Sequence, residues 1–290
     1  MDKKMKKLLV CTFSGGRTSA FMGQFLNTYD KYKDYDKVFL FANTGKEKEE
    51  TLEFVNKCDI EWNLGIVWLE AKINKEKGVG TDYKIVDFKT ASRNGEPFEE
   101  MLKSYSMPNN FASNCTRELK GIPLDKYKKM LKLKHNYTEV VTAIGIRYDE
   151  RHRKSLNAQN DGFIYPLCDD IKVDGSFIRK WWDKQCFDLR LKDYEGNCDL
   201  CFKKSLRKRL TIIKENPKSA EWWLKMEETY GNNLVPRFDL RTNKSVSEQI
   251  KLAQGSFSSV QDKHEMSKKQ TSLFDDLDMD IETDCFCKAT

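Results

Sequence analysis

The amino-acid sequence predicts an α/β fold, and three observations support this prediction. At 290 residues, the chain is long enough for one large α/β domain plus an appendage. Short apolar, β-prone runs alternate along it with segments of helical spacing. A glycine-rich turn at residues 14–19 separates the first apolar run from the first helical segment. We therefore expect a parallel sheet with binding groups beyond the carboxyl ends of its strands.

The glycine-rich turn, which we call the glycine loop, carries several anion-binding groups. Its glycines leave backbone amides uncovered at the positive end of the following helix, and its hydroxyl and guanidinium groups add donors. This combination is typical of a phosphate site at a helix N-terminus. An ordinary Ser/Gly turn is the alternative interpretation. The residues of the loop are Ser14, Gly15, Gly16, Arg17, Thr18 and Ser19.

Four buried strands are predicted, at residues 8–13, 37–42, 66–70 and 139–145. Asn43, Thr44 and Gly45 follow the second strand, so we expect them beside the glycine loop at the carboxyl edge of the sheet. A helix N-cap at Asn43 or Thr44 is compatible with that role. Residues 72–94 are polar and irregular, which suggests a surface excursion or lid.

The segment after the fourth strand combines three arginines with two carboxylates. Guanidinium forks that converge on a small volume suit a polyphosphate or sulfate better than lysines would. The carboxylates either orient these forks or hold a metal ion such as Mg²⁺. A plain charged turn is the alternative interpretation. The residues are Arg147, Asp149, Glu150, Arg151 and Arg153.

The chain has nine cysteines. We expect no export signal, because the apolar run behind the basic start is too short for a signal peptide or a membrane span. We expect a cytoplasmic protein without a membrane partner, whose cysteines are free thiols or metal ligands. Cys198 and Cys201 form a C-x-x-C turn that leads into a basic helix at residues 202–213. Such a pair binds zinc, holds two corners of an iron–sulfur cluster, or serves as a redox or structural thiol pair.

The carboxyl-terminal part is predicted to be helical and then flexible. A capped amphipathic helix spans residues 217–231, and one more short helix falls within 232–254. From residue 255 the composition becomes polar and then acidic, and Cys285 and Cys287 stand at its end. The domains predicted are 1–195, a nucleotide-binding α/β unit; 196–254, an extension packed on it; and 255–290, a flexible acidic tail. The basic run at residues 203–209 is either a solvated helix face or a nucleic-acid- or anion-binding surface.

Four motifs in the expected order, within roughly residues 6–231, resemble the phosphoadenosine phosphosulfate (PAPS) reductase-like branch of the PP-loop ATP pyrophosphatase superfamily. The glycine loop resembles the S-G-G-x-[DT]-S motif, and Thr44-Gly45 with Glu50-Thr51-Leu52 resembles a "TG…ETL" segment. Residues 114–124 resemble the paired-cysteine segment CC-x-x-[RK]-[KL]-x-x-P-L, of which Cys115 keeps the second cysteine. Residues 145–153 resemble a G-[IV]-R-x-D-E-x-x-R signature. The resemblance implies a doubly wound parallel sheet of the adenine nucleotide α-hydrolase type, with a helical C-terminal extension and a flexible tail.

The resemblance also implies ligands for several side chains. Lys120 becomes a phosphate or sulfate contact, with a solvent-facing helix lysine as the alternative. Cys115, Cys198 and Cys201 become ligands of a [4Fe–4S] cluster, with zinc as the alternative. The sequence departs from the pattern at Asn114, which replaces a cysteine, and at Asn43, which replaces an aspartate. Candidates for a fourth cluster ligand are Cys168, Cys186, Cys285 and Cys287.

The function implied is adenylation by ATP coupled to sulfur transfer. Arg147 and Arg151 would neutralise charge at the α-phosphate, and sulfur would come from a sulfur donor through the thiols, with a nucleic acid as one class of acceptor. The first alternative is an adenylylsulfate (APS) or PAPS reductase, in which Cys285 or Cys287 attacks sulfur and a thioredoxin-like partner supplies electrons. The second is a nucleotide- or nucleic-acid-binding module without turnover.

Overall fold

The structure is a computed structural model that describes residues 6–262 except 75, 77–78, 106, 109–112, 197 and 232–243. Six strands of these described residues form one sheet. The strands are β1 (Lys7–Thr12), β2 (Tyr35–Asn43), β3 (Val67–Ile73), β4 (Thr81–Val86), β5 (Glu139–Ala143) and β6 (Phe163–Ile164). Their order across the sheet is β4-β3-β2-β1-β5-β6. All neighbouring pairs are parallel except β3 and β4, which are antiparallel. The predicted α/β class is confirmed.

Helices connect the strands and continue beyond the last of them. They are α1 (Arg17–Thr28), α2 (Glu49–Trp62), α3 (Glu96–Tyr105), α4 (Asn114–Thr116), α5 (Ile122–His135), α6 (Pro166–Asp169), α7 (Gly175–Trp182), α8 (Leu206–Glu215), α9 (Glu221–Tyr230) and α10 (Val246–Gln254). Shorter 3-10 turns cover Asp30–Tyr32, Tyr148–Arg153 and Pro217–Ala220, and a π-helical turn covers Arg117–Gly121. Among the described residues, no helix combines the length and apolar character that a membrane span requires.

Both faces of the sheet are buried by helices. In β1, Leu9 and Cys11 belong to the apolar cluster that includes residues of α1, α2 and α7. Leu8 and Val10, which point to the opposite face, pack in a second cluster with residues of α5. This explains why the central strands are continuous apolar runs rather than alternating ones.

The order of the sheet reverses at β1, and this positions the candidate site. β1 pairs with β2 on one side and with β5 on the other. The chain therefore leaves the sheet in opposite directions from β1 and β5, and a crevice forms outside their carboxyl ends. The glycine loop follows β1 at that edge, and the arginine-rich turn follows β5.

The prediction of an irregular excursion at residues 72–94 is wrong in part. β3 continues to Ile73, and β4 occupies Thr81–Val86 at the edge of the sheet. Most side chains of β4 are partly or fully exposed, so its sequence lacks the apolar pattern of the inner strands. The short strand β6 was also not predicted, because only Phe163 and Ile164 take part in it.

The C-terminal helices share an apolar cluster with the sheet domain. Residues of α8, α9 and α10 pack together with α3, Cys115 and the C-x-x-C turn. Residues 255–262 also contact this unit, since the Val260 amide donates to Thr211 Oγ1 at 3.0 Å and Phe257 packs against the cluster. The rest of the predicted tail, with Cys285 and Cys287, lies outside the described residues.

Candidate functional site

The glycine loop turns sharply from β1 into α1. Gly15 has a φ of +82°, and a Cβ built on it would stand 2.6 Å from Thr51 Cγ2. Only glycine fits such a conformation and such a close approach. Gly16 is the N-cap of α1 and offers no side-chain cap to the amides of the first turn. These amides are therefore oriented beyond the helix N-terminus, where the helix dipole favours an anion.

The serine hydroxyls of the loop stabilise the turn itself. Ser14 Oγ donates to Ser19 Oγ at 2.9 Å, and Ser19 Oγ donates to the Gly16 carbonyl at 2.9 Å. The Ser14 amide also donates to Ser19 Oγ, at 3.0 Å. Ser14 and Ser19 thus preorganise the loop, which lowers the entropy lost on binding a ligand there.

Arg147 reaches the glycine loop from the far side of the crevice. Its Nη1 donates to Thr18 Oγ1 at 3.1 Å, although the two residues are 129 positions apart. Asp149 accepts from Arg147 Nε at 3.1 Å, and Glu150 Oε1 accepts from Arg153 Nη1 at 2.7 Å. The prediction that these carboxylates orient the guanidinium groups agrees with this geometry.

A hollow, which we call the loop hollow, lies between the glycine loop and the segment after β5. Gly145 packs against the glycine loop, since a Cβ built on it would stand in ordinary van der Waals contact with Ser19 Cα at 3.5 Å. Donors from both chain segments face the same volume. The lining residues are Thr12, Ser14, Thr18, Ser19, Ile144, Gly145, Ile146 and Arg153.

Two arginines predicted to bind phosphate have other contacts. Arg17 Nε and Nη2 donate to Asp188 at 2.7 and 2.9 Å, so its guanidinium is committed to a carboxylate. Arg151 is exposed, stacks on the Tyr148 ring at 4.9 Å and is absent from the hollow's lining. The expected convergence of three arginines after β5 is corrected: Arg153 lines the loop hollow, and Arg147 contacts Thr18 at its border while also pairing with Asp149. Arg151 points outward from the 3-10 turn.

The residues after β2 are engaged in a buried network rather than in the loop hollow. Asn43 Nδ2 donates to Glu70 Oε1 at 2.7 Å, and Asn43 Oδ1 accepts from the Gly45 amide at 3.1 Å. Thr44 donates to Glu47 Oε2 at 2.8 Å through Oγ1. None of these three residues lines the loop hollow, and the N-cap of α2 is Lys48. The predicted nucleotide contacts from Asn43, Thr44 and Gly45 are therefore not supported by this geometry.

A second hollow brings together the three cysteines that the sequence singled out. We call it the thiol pocket. Cys115, at the start of the helical segment that leads into α5, faces Cys198 and Cys201 of the C-x-x-C turn, and all three are buried. Aromatic rings close the rest of the volume. The lining residues are Thr44, Phe98, Cys115, Thr116, Lys120, Cys198, Cys201, Phe202 and Trp223.

Lys120 lies in this pocket rather than in solvent, which rules out the solvent-facing alternative. It is buried, and its Nζ is 3.4 Å from Glu47 Oε1. Glu47 accepts from Thr44 through its other oxygen, and Thr44 Oγ1 is 3.5 Å from Cys198 Sγ. A polar chain thus connects the ammonium group of Lys120 with the thiol of Cys198.

The thiol pocket offers three thiols, the donor type that iron–sulfur clusters and zinc bind. Its lining includes no further Cys, His, Asp or Glu among the described residues. Among all the residues that the structure describes, no group of three or more His, Cys, Asp or Glu side chains is placed to hold a metal ion. Zinc and cluster binding therefore both stay predictions.

Two of the proposed fourth ligands are placed elsewhere. Cys168 is buried in α6 with Ile146 and Tyr165, where burial raises the pKa of its thiol. Cys186 is exposed beyond the end of α7. Neither lines the thiol pocket. The remaining candidates, Cys285 and Cys287, are outside the described residues.

Sequence reasoning missed several residues of these sites. Glu47 and Asp188 are single carboxylates whose partners, Lys120 and Arg17, are 73 or more positions away, so no local pattern identifies them. Phe98 and Trp223 look like ordinary core residues of amphipathic helices. The sequence offered one signal for Glu47: it lies two residues after Gly45, close to the carboxyl end of a predicted strand, where binding residues gather.

The fold and the two hollows define an α/β protein with a mostly parallel sheet and candidate binding sites beyond the carboxyl ends of its strands. No protein-family model matches the chain. It is similar to the "uncharacterized nin region protein ORF290" of Escherichia phage lambda. The two are 35% identical over 202 residues, which cover 69% of this chain and 67% of the phage protein. The chain belongs to the family of that phage protein.

Proposed function

We propose that the chain is an enzyme that binds ATP in the loop hollow and activates a substrate by adenylation as part of a sulfur-transfer reaction. One observation carries the proposal: the Arg147 guanidinium meets Thr18 at the uncapped N-terminus of α1. Backbone amides and hydroxyls on one side of a crevice and a guanidinium from the other side form a typical polyphosphate site. The position at the reversal of strand order is where open α/β sheets bind nucleotides.

The reaction would use these groups for electrostatic stabilisation. A substrate oxygen attacks the α-phosphorus of ATP, the bond between this phosphorus and the bridging α–β oxygen breaks, and pyrophosphate leaves with the electron pair. The first-turn amides of α1 bind the leaving phosphates, and Arg147 offsets the charge that develops near the α-phosphate. Preorganisation of the loop by Ser14 and Ser19 places the reacting groups before the chemical step.

The thiol pocket supports the sulfur-transfer part of the proposal. Cys115, Cys198 and Cys201 are the residues that would hold an iron–sulfur cluster, which supplies a site for binding and transferring sulfur. The ammonium group of Lys120, paired with Glu47, lines the same pocket as the three thiols. Anaerobic purification followed by iron, sulfide and zinc analysis tests this point. Iron with sulfide in the wild type, lost in Cys198→Ser, is expected, whereas a metal-free wild type would contradict cluster binding.

The slow reaction of ATP with water separates the candidate functions without knowledge of the acceptor. Adenylation chemistry predicts AMP and pyrophosphate as the products, because water attacks the same α-phosphorus. ADP and phosphate as products would contradict it. Sulfite release from APS or PAPS in the presence of a dithiol would favour the reductase alternative. ATP binding with no turnover would favour a nucleotide-binding module, and no ATP binding would overturn the proposal.

A further inference from the structure

Arg17 occupies the variable position of the glycine loop, yet its contacts hold the loop to a distant segment. Besides its two bonds to Asp188, Arg17 donates to the carbonyls of Leu189 at 2.5 Å and Leu191 at 3.4 Å. The Trp182 indole donates to the Arg17 carbonyl at 3.0 Å. A bidentate guanidinium–carboxylate pair that is largely buried is among the stronger and more directional polar contacts.

The partner of Arg17 begins a stretch that continues to the thiol pocket. We call residues 188–201 the connecting segment; residue 197 within it lies outside the described residues. After Asp188, the Asp193 carboxylate approaches the Arg17 guanidinium to 3.8 Å. Glu195 then forms an ion pair with Lys48 at the start of α2. The segment is thus attached first to the glycine loop and then to the chain that follows β2.

The end of the connecting segment is the C-x-x-C turn itself. Lys46 Nζ is 2.9 Å from Asp199 Oδ2, and the Asp199 amide donates to the Lys46 carbonyl at 2.9 Å. Glu47 forms a β-bridge with Cys198. The Trp223 indole donates to Asp199 Oδ1 at 2.7 Å. The turn that carries two of the three pocket thiols is therefore held by Lys46, Glu47 and Trp223, at the end of the segment whose start Arg17 contacts.

We propose that Arg17 is a positioning residue that sets the thiol pocket relative to the loop hollow through the connecting segment. The ion pairs of Asp188, Glu195 and Asp199 restrict how far the two sites can move relative to each other. A loop that tightens on a nucleotide also fixes Arg17, and with it the thiols of the C-x-x-C turn. This role explains why a guanidinium in a phosphate-binding loop is turned away from the anion. The nucleotide-linked part of the inference rests on the proposed function.

Hydrogen–deuterium exchange of the intact protein tests the inference without a substrate. Arg17→Gln and Asp188→Asn are expected to raise deuterium uptake across residues 196–204 by about tenfold in rate, since the opening free energy of the turn falls by ~1.4 kcal/mol. The amides of Asp199, Cys201 and Lys204 are hydrogen-bonded in this stretch, so exchange reports on them directly. The matched control is Arg190→Gln. Arg190 also lies in the connecting segment, but its ion pair with Glu53 of α2 is exposed, so its loss should leave deuterium uptake across 196–204 unchanged.

Two further measurements decide whether Arg17 positions the thiol pocket or only holds the residues next to Asp188. Unchanged exchange in β1 and β2 shows that the variants are folded. Faster exchange limited to residues 188–193 in both variants would overturn the inference, because Arg17 would then anchor only its neighbours. Saturating ATP should slow exchange across 196–204 in the wild type and not in Arg17→Gln. If ATP slows exchange in the glycine loop of the wild type but not across 196–204, the link between the nucleotide and the thiol pocket fails. If ATP alters exchange nowhere in the wild type, the proposed function fails, while the ATP-free comparison still decides the role of Arg17.

Discussion

Arg147 and Arg151 are four positions apart in one turn, yet the structure gives them different environments. Arg147 bonds to Thr18 across the crevice, whereas Arg151 stacks on Tyr148 at the surface. The residue types predicted an anion site from both. Side-chain direction depends on the backbone of the 3-10 turn, which the sequence motif does not specify.

This difference gives a matched pair of variants for ATP binding. Arg147→Gln is expected to weaken ATP binding by about 10- to 100-fold, because a charge-assisted bond to phosphate contributes ~1.5–3 kcal/mol. Arg151→Gln should change the affinity by less than about twofold, since exposed charges contribute little. Isothermal titration calorimetry measures both. Equal losses in the two variants would contradict a specific role of Arg147 in binding at the glycine loop.

The two glycines of the loop also differ in what they tolerate. Gly15→Ala is expected to lower the free energy of unfolding by about 2–4 kcal/mol, since it adds strain at positive φ and a contact with Thr51. In Gly16→Ala the nearest atom is Ser14 Oγ at 3.8 Å, and the loss should be at most about 1 kcal/mol. Urea unfolding compares them. Similar losses would show that the tight turn at Gly15 is not required.

At the level of elements, the inner strands and the helices after them were predictable, but the edge of the sheet was not. β1 and β2 are buried on both faces, so their apolar runs stand out in the sequence. β4 is an edge strand in which Asp82 and Tyr83 are partly exposed and Lys84 is exposed. Only its pairing with β3 identifies it as a strand. Tertiary pairing of this kind overrides local pattern.

The connecting segment is also an element that no local pattern predicts. Arg17 and Asp188 are 171 positions apart, and Lys48 and Glu195 are 147 apart. Each residue alone resembles an ordinary surface charge. The motifs therefore predicted which residues form the glycine loop and the C-x-x-C turn, but they did not predict what holds the two together.

The ion pair of Lys48 with Glu195 gives the connecting segment a pH dependence. Burial raises the pKa of the Glu195 carboxyl, but bonds from Lys48 and the Lys192 amide outweigh it, so this pKa lies below its ordinary value. The unfolded chain then binds the proton more tightly, and the stabilisation is present above the unfolded pKa and lost as the pH falls. Glu195→Gln should cost about 1 kcal/mol at pH 7.

Thermal unfolding across pH measures this effect. The difference in Tm between wild type and Glu195→Gln is expected to be constant above about pH 5.5 and to shrink as the pH falls from the unfolded pKa, about 4.3, through the lower pKa of the folded state, below which both states carry the protonated carboxyl. A difference that grows as the pH falls would contradict the sign of the shift. Glu53→Gln, at the exposed pair with Arg190, is the control and should show little difference at any pH.

For the whole molecule, the sheet order places two hollows along one edge. The loop hollow lies beyond β1 and β5, and the thiol pocket lies beyond β2, where Thr44 enters its lining. The motif order predicted both sets of residues, because the ends of successive parallel strands meet at that edge. The separation of Asn43 and Gly45 from the loop hollow was not predicted, since it depends on the buried carboxylate of Glu70.

The C-terminal helices complete the thiol pocket. Arg209 in α8 is fully buried and donates to the carbonyls of Phe202 and Lys204 and to Gln249 of α10. Trp223 of α9 closes the pocket. The extension after the C-x-x-C turn therefore supports the turn, which accounts for a helical unit packed on the sheet domain rather than apart from it.

The central claim is that the glycine loop and the Arg147 turn recognise the polyphosphate of ATP. Titration of ATP, pyrophosphate and AMP into the intact protein by calorimetry tests it most directly. The account predicts that ATP and pyrophosphate both bind and that AMP binds at least about tenfold more weakly than ATP, because AMP lacks the phosphates that the first-turn amides of α1 receive. AMP affinity equal to that of ATP, or no binding of ATP at all, would contradict the claim.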